Sequence, residues 1–218
     1  MKKSVAVRGR PVDPNKQIAQ KAKLLAAAQS LLTEKPYGQI SIRELAQRAE
    51  INSAMVSYYF NNKEGLFITL LDEMSASHFM NMKNIAKANN PIKAFISNII
   101  AMLNDNSSFA QLIHQELANS NSALSTIFIE RFPKKMATFL PQLIKKNTAI
   151  KDDIKAKYAA FSLINMIIMP FMNKNIRQNA WQISDLEMQS NDWIEHIYQQ
   201  FIYGCSARTN TTDTDQNR

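Results

Sequence analysis

Side chains suited to catalysis are few and scattered in this chain of 218 residues. The three histidines, His78, His114 and His196, are far apart and lack the short spacings that let imidazoles close on one metal ion. The single cysteine, Cys205, has no neighbouring base in sequence and cannot form a disulfide within the chain. No glycine-rich phosphate loop occurs. An enzyme is therefore not expected, nor a catalytic residue, a cofactor or a bound metal. The concentrated chemistry is of another kind. Residues 41–60 read SIRELAQRAEINSAMVSYYF, a run of hydroxyls, amides and cations set among small apolar residues. Such groups hydrogen-bond phosphates and base edges, so the chemistry they suit is recognition.

Charge placement supports that reading. The net charge is +8, but residues 1–63 hold eleven Lys and Arg against four acids, a net of +7. Residues 64–218 hold fifteen against fourteen. A basic N-terminus on a nearly neutral remainder is the electrostatic footprint of a polyanion-binding protein.

Helices must position these groups. Only four glycines occur, which argues against architectures rich in tight sheet turns. From Lys16 to Glu34, apolar Ile18, Ala22, Leu25, Ala28 and Leu32 recur at steps of three and four, predicting an amphipathic helix that Pro36 and Gly38 end. Ser41 with Glu44 forms a capping-box signature for a short helix that buries Leu45, Ala46 and Ala49. A break at Glu50–Asn52 leads to a second short helix, about Ser53 to Phe60. Leu45, Ala49, Ile51, Val56 and Tyr59 should close its small core. Asn52, Ser53, Ala54, Ser57 and Tyr58 then remain exposed, and small polar residues with a tyrosine fit a helix entering a major groove. Lys63 begins a longer helix with Leu66, Leu70, Leu71 and Met74 on one face.

The segment 41–60, with the Tyr59-Phe60-Asn61-Asn62-Lys63-Glu64-Gly65-Leu66-Phe67 that follows it, resembles the helix-turn-helix domain of the TetR family of bacterial regulators. The resemblance runs from about Lys16 to Met74. It implies an all-helical protein with an N-terminal three-helix DNA-binding domain and a larger C-terminal helical domain for dimerisation and ligand binding. It also implies DNA contacts at Ser41, Arg43, Asn52, Ser53, Ala54, Ser57, Tyr58 and Tyr59, and a phosphate contact at Lys63. Two positions depart from the family pattern. Glu50 stands where glycine is usual, so a left-handed turn there would cost about 1 kcal/mol, or the turn differs. Ser57 stands where a phosphate-binding tyrosine is common, with Tyr58 beside it, which leaves open which hydroxyl meets the backbone.

Arg8-Gly9-Arg10-Pro11 is similar to the core of minor-groove hooks. Arg8 and Arg10 would enter an A·T-rich groove, or the arm is a basic tail touching phosphates without preference. The expected organisation is a flexible basic arm at 1–15, a DNA-binding domain at 16–62 and a connecting helix at 63–90. A ligand-binding and dimerisation domain at 91–206 and a disordered tail at 207–218 complete it. Helices are expected at about 91–104, 107–119, 122–147, 152–174 and 187–204, with Pro133 and Pro141 kinking or splitting the third.

Within the C-terminal part, helices 152–174 and 187–204 are apolar on more than one face. They therefore offer Tyr158, Leu163, Ile167, Phe171, Trp193, Ile197 and Phe201 for an intersubunit bundle or for a monomer's own core. By the family resemblance, Met102, Phe109, His114, Phe128, Met136, Phe139, Phe161 and Met166 lie on the helices that line a cavity. The same residues would make an ordinary core. Their apolar bias favours a hydrophobic or aromatic effector. The expected partners are double-stranded operator DNA, a second copy of the chain and a small-molecule effector. With no signal peptide and no uninterrupted apolar run of membrane-spanning length, the expected setting is the cytoplasm, with no membrane partner. The leading reading is a ligand-released repressor. The alternatives are an effector-free activator or nucleoid-associated factor, and an adaptor on the same fold that has lost DNA affinity.

Overall fold

The computed structural model of the chain describes residues 14–105 and 123–206. Arg8, Arg10, Phe109 and His114 lie outside the described residues, as does the helix expected at 107–119. The described residues form helices and no strand, the all-helical architecture that the sequence implies. The chain divides into two compact units, one ending at Leu70 and the other beginning at Leu71. The division falls inside a long helix, whereas the expected organisation gave residues 63–90 an element of their own.

The first unit holds α1 (Pro14–Leu32), α2 (Ile42–Ala49), α3 (Ala54–Phe60) and the start of α4 (Lys63–Ile85). Proline is accommodated at the first position of α1, where no intrahelical donor is missed. Only the second half of α1 is buried, through Leu24, Leu25, Ala27, Ala28, Leu31 and Leu32, and Ile18 is exposed. Against this face α2 packs closely, with Leu45, Ala46 and Ala49 buried. A single 3₁₀ turn at Tyr37–Gln39 links α1 to α2, and the Tyr37 ring meets buried Phe67 edge-on at 4.8 Å.

Hydrogen-bonding side chains define the ends of these short helices. Ser41 Oγ accepts from the Glu44 amide at 3.2 Å, and Glu44 Oε2 accepts from the Ser41 amide at 2.9 Å, the capping box expected there. At the far end of α2, Ile51 N–H donates to the Ala46 carbonyl and Glu50 N–H to that of Gln47. This is the Schellman closure, and it puts Glu50 in the left-handed region at φ 56°, ψ 43°. Asn52 Oδ1 accepts from the Ala54 amide at 2.9 Å and Asn62 Oδ1 from the Gly65 amide at 2.7 Å, so asparagine starts both α3 and α4.

The second unit contains the rest of α4, then α5 (Pro91–Asp105), α6 (Ala123–Arg131), α7 (Pro133–Asn147), α8 (Asp153–Met172), α9 (Lys174–Ala180) and α10 (Asn191–Ser206). The expected helix 122–147 is two helices. Pro133 opens the second of them, and Pro141 lies buried within it without ending it. Buried Ile92, Phe95, Ile96, Ile99, Ile100 and Leu103 make α5 the centre of the unit, in contact with α7, α8 and α10. Helix α8 is long and apolar enough to cross a membrane by length and composition, with mean hydropathy 1.2. In this fold Ala156, Ala159, Ala160, Leu163 and Ile167 are its buried face. Buried Arg177 ties down the segment after α8: its guanidinium donates to the carbonyls of Pro170 (3.1 Å) and Ile183 (2.6 Å) and to Asp185.

Candidate nucleic-acid interface

Two short helices joined by a closed turn present α3 outward. Val56 and Phe60 are its buried side, and Asn52, Ser53, Ala54, Ser57 and Tyr58 are exposed, as the alternation of apolar and small polar residues predicts. Tyr58 is 62% exposed. Ile51 and Tyr59, expected in the small core, are half-buried.

Several of the expected contact residues already have partners inside the chain. Ser41 holds the cap of α2, and its hydroxyl also donates to Glu44 Oε2 at 2.8 Å. Asn52 Oδ1 caps α3. The Tyr59 hydroxyl donates to Gln20 Oε1 of α1 at 2.6 Å. Lys63 departs most from expectation. Its ammonium donates to the carbonyls of Tyr37 (3.0 Å) and Ile40 (2.9 Å) and sits 4.2 Å from the centroid of the Tyr37 ring. Partial burial lowers its pKa. A phosphate at the start of α4 would compete with those two carbonyls for Lys63. Ser53, Ala54, Ser57, Tyr58 and Arg43 remain outward and exposed.

Pairing also shapes the field. Glu34 takes both ends of the Arg48 guanidinium (2.7 and 3.0 Å), and Arg48 reaches Ser30 Oγ at 2.7 Å. Lys35 pairs with Glu44. That contact, together with the two bonds from Ser41, holds the Glu44 carboxyl down to about 2. Two of the unit's acids are thus neutralised locally. Lys16, Lys23 and Arg43 are exposed and make no ion pair among the described residues. Net positive potential is left on the unit that carries α3.

Sequence reasoning missed two features. The first is Gly65, in the first turn of α4. A Cβ there would fall on the carbonyl oxygen of Phe60, far inside contact distance, so the end of α3 rests directly on α4 only because residue 65 has no side chain. The second is the set Gln17, Gln20 and Lys21. Their spacing places them on one face of α1, a signal the sequence contains. That this face meets the tyrosines of α3 is tertiary information it does not.

Such a unit, with two short capped helices, an outward polar helix and unpaired cations, matches the family model for bacterial regulatory proteins of the tetR family over residues 24–70. Residues 24–70 carry the TetR-family signature. It is 31% identical over 70 residues to the probable HTH-type transcriptional regulator YttP of Bacillus subtilis, covering 32% of this chain and 34% of that one. It is 32% identical over 78 residues to the HTH-type transcriptional regulator EthR of Mycobacterium tuberculosis, covering 36% of this chain and 34% of that one. The matched part thus spans about a third of those relatives. The fold extends further. The crystal structure of the regulator FadR from Bacillus subtilis, in complex with stearoyl-CoA, superposes with a TM-score of 0.67 at 20% identity, over 84% of this chain and 98% of that one. The N-terminal unit is therefore a TetR-type helix-turn-helix domain, and a larger helical C-terminal domain with the fold of these regulators follows it.

Six of the residues expected to line a ligand cavity are described, and they lie in different surroundings. Phe128 is buried and stacks on Phe132 at 5.3 Å, and Phe139 is half-buried with its ring 6.5 Å from that of Phe95. Met102, Met136 and Met166 are half-buried. Phe161 points away from this interior: it is 72% exposed on the outer face of α8. A recess of about 380 Å³ is lined by Lys146, Asn147, Thr148, Ala149, Ile202 and Cys205, none of them an expected cavity residue.

The expected dimer residues also divide. Leu163, Ile167, Ile197 and Phe201 are buried in the chain's own core, so their surface is already covered. Phe171 and Trp193 are half-buried. Tyr158 is 64% exposed and shares its face of α8 with Ile154, Phe161 and Met169 at steps of helical period. The apolar α8 surface left open is that row. An apolar helix supplies a core face and an open face, and residue type alone does not say which is which.

Proposed function

We propose that this chain is a homodimeric repressor that leaves its operator when a small apolar or aromatic effector binds the second unit. The carrying observation is the exposed face of α3: Ser53, Ala54, Ser57 and Tyr58, with Arg43 on α2, stand outward on a basic unit. A major groove accepts such a face, with hydroxyls for phosphates and small side chains that let the helix approach the base edges. Ser41, Asn52, Tyr59 and Lys63 belong to the same surface with caps and internal bonds as their first duty, and Arg8 and Arg10 would extend it along the backbone or into the minor groove. Two half-sites about a helical turn apart require two copies of α3. The α8 row of Ile154, Tyr158, Phe161 and Met169 supports pairing, since a solvent-exposed apolar stripe of this size marks an interaction surface. Stearoyl-CoA in the FadR structure supports an apolar effector here, with Met102, Phe128, Met136, Phe139 and Met166 as candidate contacts. The reading places the protein in the cytoplasm, where operator and effector meet.

One observation favours a second reading, a regulator without an effector: the Phe128–Phe132 and Phe95–Phe139 ring contacts use the expected cavity residues as core.

Footprinting on the DNA upstream of the gene, with transcription from that promoter measured in parallel, tests these readings. The repressor reading expects two protected half-sites, falling transcription, and release by a long-chain acyl-CoA or an aromatic compound. Protection without release by either compound class would support the effector-free reading. A single half-site bound by monomer would contradict the dimer.

A further inference from the structure

Two adjacent tyrosines leave α3 at its exposed end, and the structure treats their hydroxyls differently. Tyr59 is half-buried and its hydroxyl donates to Gln20 Oε1 at 2.6 Å, a short bond to an element 39 residues away in sequence. The Lys21 ammonium lies 5.7 Å from the Tyr59 ring centroid, and the buried Phe60 ring meets it edge-on at 6.3 Å. Tyr58 is exposed, and its ring stands edge-on to that of Tyr59 at 5.0 Å and 71°. Among the described residues its hydroxyl has only a 3.5 Å contact from the Gln17 amide, at the outer limit of a hydrogen bond.

We infer that Gln20 is a positioning residue for DNA binding: by accepting the Tyr59 hydroxyl it fixes that ring as a backstop, and so makes Tyr58 the tyrosine that donates to a DNA phosphate. This rests on the reading of α3 as the recognition helix. A hydroxyl already donating a short bond to an amide oxygen must surrender it to reach a phosphate, so Tyr59 gains little there. Tyr58 gives up almost nothing. Its ring, however, has a defined direction only because an edge-to-face partner stands beside it, and that partner is held by Gln20 and by the cation on its face. The first turns of α1 therefore set the geometry of a contact they do not themselves make. Gln17 is a resting place for the Tyr58 hydroxyl, left when DNA binds.

The test is a double-mutant cycle on the full chain, read as affinity for a duplex enriched from a random-sequence library by the wild-type protein, with thermal melting of each variant alongside. Tyr58→Phe should weaken binding about tenfold, the size of a lost charge-assisted bond. Gln20→Ala and Tyr59→Phe remove the same bond from its two ends and should each weaken binding severalfold without adding when combined. In the Gln20→Ala background the cost of Tyr58→Phe should shrink to less than about twofold. Gln20→Glu, which keeps an acceptor for Tyr59, should restore that cost. If Gln20 is unproductive to mutate because the variant fails to fold, Tyr59→Phe removes the same bond at smaller cost. The inference is overturned if Gln20→Ala lowers only the melting temperature, if the Tyr58→Phe cost is equal in both backgrounds, or if Tyr59→Phe costs more than Tyr58→Phe. Failure of the wild-type protein to enrich any duplex would instead overturn the recognition-helix reading, and the inference with it.

Discussion

The two units are built by different means. In the first, α2 and α3 have eight and seven residues, too short to be held by propensity, and polar side chains define their ends. Ser41 and Glu44, Asn52, Asn62, Glu34 and Arg48, and Lys63 on two carbonyls each fix one geometric parameter. In the second unit, long helices pack by apolar area, α5 alone burying six large side chains, and polar ties such as those of Arg177 secure helix ends and connections around that core. The first arrangement holds a binding face to close tolerance. The second, held by apolar area, tolerates repacking.

The sharpest way to undo this contrast is Gly65→Ala. The added methyl meets the Phe60 carbonyl, so α3 must shift off α4. The expected cost is up to about 3 kcal/mol, with loss of DNA binding at temperatures where the protein is still folded. If DNA affinity is unchanged, the placement of α3 is not as fixed as described. In the second unit the matching change is Phe161→Glu on exposed α8. Dimer dissociation should rise by about two orders of magnitude while the monomer keeps its helical content, and sedimentation reads both. Unchanged association would remove the α8 row from the interface.

Acid should take the units apart in order. Burial lowers the His78 pKa from its usual 6.5 to about 4, so the unfolded chain binds the extra proton and stability falls as pH drops through that window, by about 3 kcal/mol at most. Glu44 is held near 2 against a usual 4.5, so its contribution to the first unit is present at neutral pH and lost only between those lower values. Trp181 and Trp193 both lie in the second unit, so tryptophan fluorescence reports on it alone. The fluorescence transition should begin above pH 5, ahead of any loss of the first unit's structure, and His78→Leu should move it to lower pH. Simultaneous transitions would contradict the separate accounts.

The smallest expected effect is at Glu50. Glu50→Gly relieves the left-handed backbone and should raise stability by up to about 1 kcal/mol, offset by the entropy that glycine adds to the unfolded chain. A loss of stability would mean that the glutamate side chain has a role beyond its backbone angle.

The same contrast explains what the sequence discloses. Ser41 with Glu44, the break at Glu50, and the outward set Ser53, Ala54, Ser57 and Tyr58 follow from local rules, because caps and helix faces depend on residues within a turn of each other. Lys63 on the Tyr37 and Ile40 carbonyls, and Tyr59 on Gln20, depend on elements 23 or more residues apart and could not be read that way. In the second unit the division of α8 into a buried Leu163–Ile167 side and an open Tyr158–Phe161 side was equally hidden, since both sides carry large apolar residues. Apolar periodicity locates a helix, and it orients the helix only when one face is polar.

The most direct test of α3 as a sequence-reading helix is a titration of the full chain against the DNA upstream of its gene and against a scrambled duplex, each at a low and a high salt concentration. Phosphate contacts alone weaken steeply with salt and ignore sequence. The α3 face described here predicts tighter binding to the upstream DNA, with the preference kept at high salt. Equal binding to both duplexes that vanishes together as salt rises, or no binding to either at low salt, would contradict it.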